Sequence, residues 1–454
     1  MSDHTRIAEE AGELDATDPL AAVRERFVLD DVTYLDGNSL GALPAHVPAR
    51  VADVVRRQWG ELRIRSWDES GWWTAPERIG DRIAPLVGAG AGQVVVGDST
   101  SVNVFKALVA AVRMAREDGA DGRDSRAGHR KDGADHRDFR ADHRDFRASH
   151  RDSRAGHRES RAAGSGGAVR DEILVDATTF PTDGYIAESA ARLTGCTLRP
   201  VPPSGVPSAL ADRGDRTAAV LLNHVDYRTG RLHDLPALTA AVHAAGAYAV
   251  WDLCHSAGAL PVGLDEHGVD LAVGCTYKYL NGGPGSPAYL YVRRDLQHRF
   301  DSPLPGWNSH AEPFGMRPGY TPASGAVRGR VGTPDILSLL ALEAALDVWD
   351  EDGVSVAAVR AKSLALTDFF LRCVGAYVPE GRVESLTPQA HDERGSQVAL
   401  RCDGAGEVMK RLIERGVVGD YRPPDVLRFG FTPLYVGFAD VERAARVLAD
   451  TTAG

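Results

Sequence analysis

Cysteine is scarce in this 454-residue sequence. Cys196, Cys254, Cys275, Cys373 and Cys402 are scattered, odd in number, and form no C-x-x-C. That argues against a disulfide framework or a cysteine zinc site and suits reduced thiols in a cytosol. No run of 18 apolar residues occurs, which argues against a membrane span. Met1 to Glu13 is acidic and has no apolar core, so it does not read as a signal peptide. An excess of basic charge is missing too: the net charge of −11 argues against general nucleic-acid binding. Two catalytic signatures are absent: the G-x-x-x-x-G-K-[ST] phosphate loop and the H-E-x-x-H metal site. The glycine-rich stretch Gly88 to Gly92 precedes its strand, the wrong order for a dinucleotide fold. A soluble cytoplasmic enzyme is the class that remains.

What is present is ample material for a core, with 43% hydrophobic and 25% charged residues. One stretch stands apart. From Asp124 to Arg158 the sequence repeats every seven residues, with histidine in register at 129, 136, 143, 150 and 157. Alanine is the only apolar residue common to the repeats, too little to form a coiled-coil seam or to offset the entropy of ordering. Metal or RNA binding are the alternatives its His, Asp and Arg content leaves open. The segment reads as a disordered, dispensable low-complexity insertion at about 120–165. Deleting Asp121 to Ala163 is expected to leave catalysis nearly intact, because loop-closure cost grows only logarithmically with length. A soluble but inactive deletion protein would contradict this.

Around the insertion, apolar runs alternate with helical spacing. Strands are expected at 93–97, 172–176, 196–201, 218–222, 248–252, 271–274 and 288–292, with helices at 76–87 and 101–116. Such β-branched runs between helices predict an α/β fold built on a mostly parallel sheet covered on both faces. From Pro334 the pattern changes to helices at 335–349 and 354–373, short strands near 397–402, 417–420 and 426–431, and a last helix at 438–449. The expected organisation is an N-terminal segment (1–60) packing with the small domain, a large domain (61–330) and a small α+β domain (331–454).

Four pieces of sequence suggest one cofactor. Gly97 to Ser101 closes a strand and opens a helix, where hydroxyls and free N–H groups form an anion site, although helix capping alone would also explain them. Asp252 ends a strand, where α/β sheets bind ligands; capping the next turn is the plainer role. Lys278 follows a buried strand in Cys275-Thr-Tyr-Lys-Tyr-Leu-Asn281, and a desolvated amine there becomes nucleophilic, with a structural ion pair as the alternative. Phe180 follows a strand in Thr179-Phe-Pro-Thr-Asp183 and could stack on a planar ring or sit in the core. Together they match pyridoxal 5'-phosphate. Its phosphate needs an anion site, its aldehyde a lysine for a Schiff base, and its ring nitrogen a carboxylate. No metal is called for.

The sequence also resembles the kynureninases, bacterial ones above all, within the fold type I group of pyridoxal-phosphate enzymes. The likeness rests on Tyr34-Leu-Asp-Gly-Asn-Ser-Leu-Gly41, Trp67-Asp-Glu-Ser-Gly-Trp-Trp73, Phe180-Pro-Thr-Asp183, His224-Val-Asp-Tyr-Arg-Thr-Gly230, Asp252-Leu-Cys-His-Ser-Ala-Gly258, Tyr277-Lys-Tyr-Leu-Asn281 and Arg428-Phe-Gly-Phe-Thr-Pro-Leu-Tyr435. It spans nearly the whole chain except the repeat. The resemblance implies hydrolysis of L-kynurenine, or its 3-hydroxy form, to anthranilate and L-alanine in tryptophan breakdown. It implies that Lys278 holds the cofactor, Asp252 pairs with the ring nitrogen, and Thr100, Ser101 and Tyr277 hold the phosphate. Phe180 would stack on the ring, with Asp183, Asn223 and His255 completing the pocket. Asn223 stands where a hydroxyl residue is common. Trp307 and Thr333 would enter from the partner subunit of a homodimer. Arg428 would clamp the substrate carboxylate, and Trp72, Asn38 and Ser39 would line the aryl end. Tyr277 is the expected acid for the half that becomes alanine. Three rival readings stand beside this one. A cysteine desulfurase needs a reactive cysteine on a mobile loop, but Cys373 and Cys402 fall in regular patterns. An aminotransferase would share Lys278 and Asp252 and differ in product. A non-catalytic regulator would be expected to lack one of that pair.

Overall fold

The computed structural model describes residues 3–127 and 169–452; the repeat from residue 128 onward lies outside them. The central feature is a seven-stranded sheet. Its order is Val94–Val96, Tyr289–Val292, Leu271–Gly274, Tyr248–Asp252, Thr217–Asn223, Glu172–Asp176, Thr197–Val201. Six strands run one way and Tyr289–Val292 runs against both its neighbours. The interior strands are buried along their whole length, as their uninterrupted apolar sequence requires. Thr197–Val201, at the sheet edge, is mostly half-buried or exposed.

Parallel pairing fixes the register that matters for function. Asn223 lies beside Asp252, and Asp252 beside Val273, so the carboxyl ends of neighbouring strands open on one edge. The helix Thr100–Ala127 crosses one face of the sheet, burying Val104, Leu108, Ala111 and Ala115 at helical spacing. Its start is held by Lys106, which is 1% exposed and donates to Asp98 Oδ2 at 2.7 Å and to the Gly329 carbonyl at 2.6 Å. Asp98 adopts the left-handed region, at φ 57°, so this ion pair fastens the turn that delivers Thr100 and Ser101. Lys106→Ala is expected to destabilise the protein by about 3–5 kcal/mol, read by denaturant unfolding, because it leaves a partly buried carboxylate unpaired.

A four-stranded antiparallel sheet, ordered Asp420–Arg422, Val426–Gly430, Gln397–Cys402, Val383–Ser385, forms the second layer with the helices Val356–Tyr377, Ala405–Glu414 and Phe438–Thr452. The stretch expected as one strand at 417–420 divides at Gly419. Val417–Val418 pairs in parallel with Thr33–Tyr34, and Asp420–Arg422 joins the larger sheet. The helix expected at 335–349 breaks at Leu346 into Ile336–Ala345 and Asp347–Glu351. The acidic N-terminus forms a helix, Asp3–Ala16, that buries Ile7 and Ala11 and packs against Phe438–Thr452.

After Thr33–Tyr34 the chain runs on past Leu35, whose carbonyl accepts from the Gly430 N–H at 2.7 Å. This brings Asp36 to Gly41 between the two sheets. Two glycines are obligatory here. A Cβ on Gly430 would stand 2.1 Å from Asn38 Oδ1, and one on Gly41 would stand 2.3 Å from the Lys278 carbonyl. Gly41→Ala is therefore expected to displace the Lys278 turn and lower turnover. Gly12→Ala, where the same atom meets nothing within 4 Å, should keep activity and stabilise its exposed helix by about 0.5–1 kcal/mol.

Candidate active site

One cavity of 360 Å³ lies where the strand ends, the Asp36–Gly41 segment and the four-stranded sheet meet. Asn38, Ser39, Thr100, Ser101, Phe180, Asp183, Asn223, Asp252, His255, Tyr277, Lys278 and Arg428 all line it. These residues span 391 positions of sequence between Asn38 and Arg428, inclusive, and the sheet topology brings them together.

Asp252 leaves the end of its strand with both oxygens engaged: Oδ1 accepts from the Cys254 N–H at 2.6 Å and Oδ2 from the Asn223 amide at 3.2 Å. The same amide donates to Asp183 Oδ2 at 3.1 Å, while Asn223 Oδ1 accepts from the Thr179 hydroxyl at 2.5 Å. A hydroxyl at position 223 could donate only one hydrogen bond; the amide reaches both carboxylates. Burial, and then the charge of Asp252, push the Asp183 carboxyl well above the usual range.

Lys278 Nζ lies 2.9 Å from His255 Nε2. Burial, and then the Lys278 and Arg428 charges, hold the His255 ring neutral with a strongly lowered pKa. Nδ1 of the same ring is buried without a hydrogen-bond partner. The Tyr277 phenol is raised above its ordinary value by the adjacent Cys275 sulfur and by burial, so it keeps its proton. Phe180 meets Tyr227 edge-on, with ring centroids 5.3 Å apart.

At the far end Arg428, 1% exposed, donates from Nη1 to the Tyr227 carbonyl at 2.6 Å and from Nη2 to Ser39 Oγ at 2.9 Å, and pairs with Asp420. Asn38 Nδ2 donates to Gln397 Oε1 at 3.2 Å, which fixes the turn that carries Ser39.

Three expected residues lie elsewhere in this chain. Trp72 is buried against Trp67 and donates from its indole to Gln58 Oε1 at 2.7 Å, so the structure does not bring it to the cavity wall. Trp307 sits in an aromatic group with Trp67, Trp73 and Phe314 and is 38% exposed. Thr333 lines a separate cavity of 300 Å³ with Asp98, Ser99, Asn308 and Arg330. In turn, the cavity wall includes Thr182, Val225, Tyr227, Cys254 and Arg422, which sequence reasoning did not single out. Tyr227 and Cys254 lie inside motifs already noted; Arg422 carries no local signal beyond a charge beside Pro423-Pro424.

The geometry has counterparts among known proteins. A cysteine desulfurase from Thermococcus onnurineus NA1 superposes at a TM-score of 0.70 with 16% identity, covering 95% of this chain and 98% of that one. A C-DES mutant with glycine covalently linked to its pyridoxal-phosphate cofactor gives 0.71 with 17% identity, covering 94% and 98%. At such identity the likeness defines the fold alone, that of the fold type I pyridoxal-phosphate enzymes. Sequence narrows the class. The kynureninase C-terminal domain family matches residues 359–448. A kynureninase from Deinococcus radiodurans is 46% identical over 443 residues, 96% of this chain and 94% of that protein. One from Burkholderia pseudomallei is 43% identical over 449 residues, 98% and 95%. The chain belongs to the kynureninase family.

Proposed function

We propose that the protein hydrolyses L-kynurenine to anthranilate and L-alanine, using pyridoxal 5'-phosphate. The observation that carries this reading is the single cavity holding an amine, a fixed carboxylate, hydroxyls at a helix start and a buried guanidinium. The residues fit the cofactor. Lys278 would bond its aldehyde carbon, Asp252 would face its ring nitrogen, Thr100 and Ser101 would hold its phosphate at the N-terminus of the long helix, with Tyr277 beside them. Phe180 would cover the ring, and Asp183, Asn223 and His255 would complete the pocket. When bound, the cofactor supplies an electron-withdrawing ring to the amino acid attached to it.

The chain's own residues do the rest. Arg428 offers its guanidinium to the substrate α-carboxylate. Lys278 Nζ would take the Cα proton, with neutral His255 placed to accept a hydrogen bond from it. Tyr277, kept protonated, donates to the carbon that becomes the alanine methyl. Water adds to the γ-carbonyl and the Cβ–Cγ bond breaks, so one water is consumed per anthranilate and alanine formed. Ser39, expected at the aryl end, instead contacts Arg428 and Asp420 at the carboxylate end, and Asn38 bonds Gln397 beside it.

A second copy of the chain would supply Trp307 and Thr333, which would account for their place outside the cavity of one protomer; the 71% exposure of Phe314, whose ring meets that of Trp307, supports such an interface. Among the described residues no helix is long and apolar enough to cross a membrane. A desulfurase reading finds no support in the cysteines weighed for it. Cys373 and Cys402 are buried, and burial pushes the Cys373 thiol up to about 12. Purified protein given L-kynurenine should release anthranilate and alanine in equal amounts; release of a keto acid, or of neither product, would contradict the assignment.

A further inference from the structure

Two guanidiniums, not one, reach the carboxylate end of the cavity. In the antiparallel pair of Asp420–Arg422 with Val426–Gly430, Asp420 stands directly opposite Arg428. Side chains alternate along a strand, so Arg422, two residues from Asp420, shares the face on which Asp420 and Arg428 meet. The contacts agree. Asp420 Oδ2 accepts from Arg428, lies 2.8 Å from Arg422 Nη2, and accepts from Ser39 Oγ at 3.1 Å. Both arginines line the cavity.

Counting donors shows what is unspent. One Asp420 oxygen serves two guanidiniums, and the Nε atoms of Arg422 and Arg428 are each buried without a hydrogen-bond partner. Buried charged donors left unpaired are costly, so such groups take up water or a ligand, and here two of them face one cavity. The other carboxylates in the wall, Asp183 and Asp252, are engaged by Asn223. Asp36 is the remaining acid nearby, and burial pushes it up to about 6, which weakens it as a counter-ion. A second anion is what the cluster lacks.

We propose that the substrate α-carboxylate is held by both Arg428 and Arg422, with Asp420 as the positioning residue that joins the two guanidiniums. The second cation makes the site selective for α-amino acids over the corresponding amines. Arg428 alone, tied to Tyr227, Ser39 and Asp420, has few donors left for a bidentate grip. This inference rests on reading the cavity as the kynurenine site.

The test compares Arg422→Gln, Arg422→Lys and Arg428→Gln holoenzymes. It measures KM and kcat for L-kynurenine, the inhibition constant of its decarboxylated amine, and pyridoxal-phosphate affinity by fluorescence. Arg422→Gln is expected to raise KM by about tenfold or more while kcat changes by less than about threefold, the signature of lost binding that is equal in ground and transition states. Amine inhibition and cofactor affinity should stay at the parent values, and Arg422→Lys should recover part of KM. If Arg422→Gln leaves KM unchanged, or weakens amine and kynurenine equally, the proposal is overturned. Arg428→Gln separates the two failures. An effect there alone removes only Arg422 from the site, whereas no effect in either variant removes the carboxylate from this end of the cavity.

Discussion

Lys278→Ala is expected to yield a folded, colourless protein whose turnover falls by more than about 10³-fold, since it loses both covalent attachment of the cofactor and a general base worth about 10²–10⁴ on its own. The reasoning is geometric. Nζ lies 2.9 Å from neutral His255, among the residues that would hold the cofactor. No second lysine lines the cavity. Lys106, also buried, is committed to Asp98 and the Gly329 carbonyl. Visible absorbance and steady-state rate are the two readouts. Full activity in this variant would remove the amine from the chemistry.

The second large effect belongs to Arg428. Arg428→Ala should raise KM by a factor corresponding to about 2–5 kcal/mol, the cost of truncating one member of a desolvated charge pair. Two contributions add here. The substrate loses its guanidinium partner, and Asp420, 16% exposed at its side chain, loses its closest cation while keeping Arg422. Because Arg422 remains, some carboxylate affinity should survive, and an added guanidinium salt should restore part of the rate. An unchanged KM would place the substrate carboxylate elsewhere.

Much of this was legible in the sequence, for a definite reason. Fully buried parallel strands must be continuous apolar runs, so Thr217–Asn223, Tyr248–Asp252 and Leu271–Gly274 stand out, and Asn223 and Asp252, the polar residues that end the first two, mark the edge where ligands bind. Asp252 and the Lys278 turn follow from that rule. The residues that escaped notice act through long-range pairing that leaves no local trace. Arg422 matters because of what lies across a short strand from it. The start of the long helix depends on Lys106 meeting Gly329 from far along the chain. The helix Asp3–Ala16 has a mostly polar sequence and is stabilised by packing Ile7 and Ala11 against Phe438–Thr452 rather than by intrinsic propensity. Trp72, expected at a cavity wall, lies buried with its indole satisfied by Gln58 and does not line the cavity of one protomer.

The measurement that bears most directly on the account follows anthranilate fluorescence from L-kynurenine, with and without added pyridoxal 5'-phosphate, alongside alanine release. The account predicts anthranilate and alanine in a one-to-one ratio, at a rate that collapses when the cofactor is stripped and returns when it is restored. Turnover that ignores the cofactor, or a cofactor-loaded protein that leaves kynurenine intact, would contradict it.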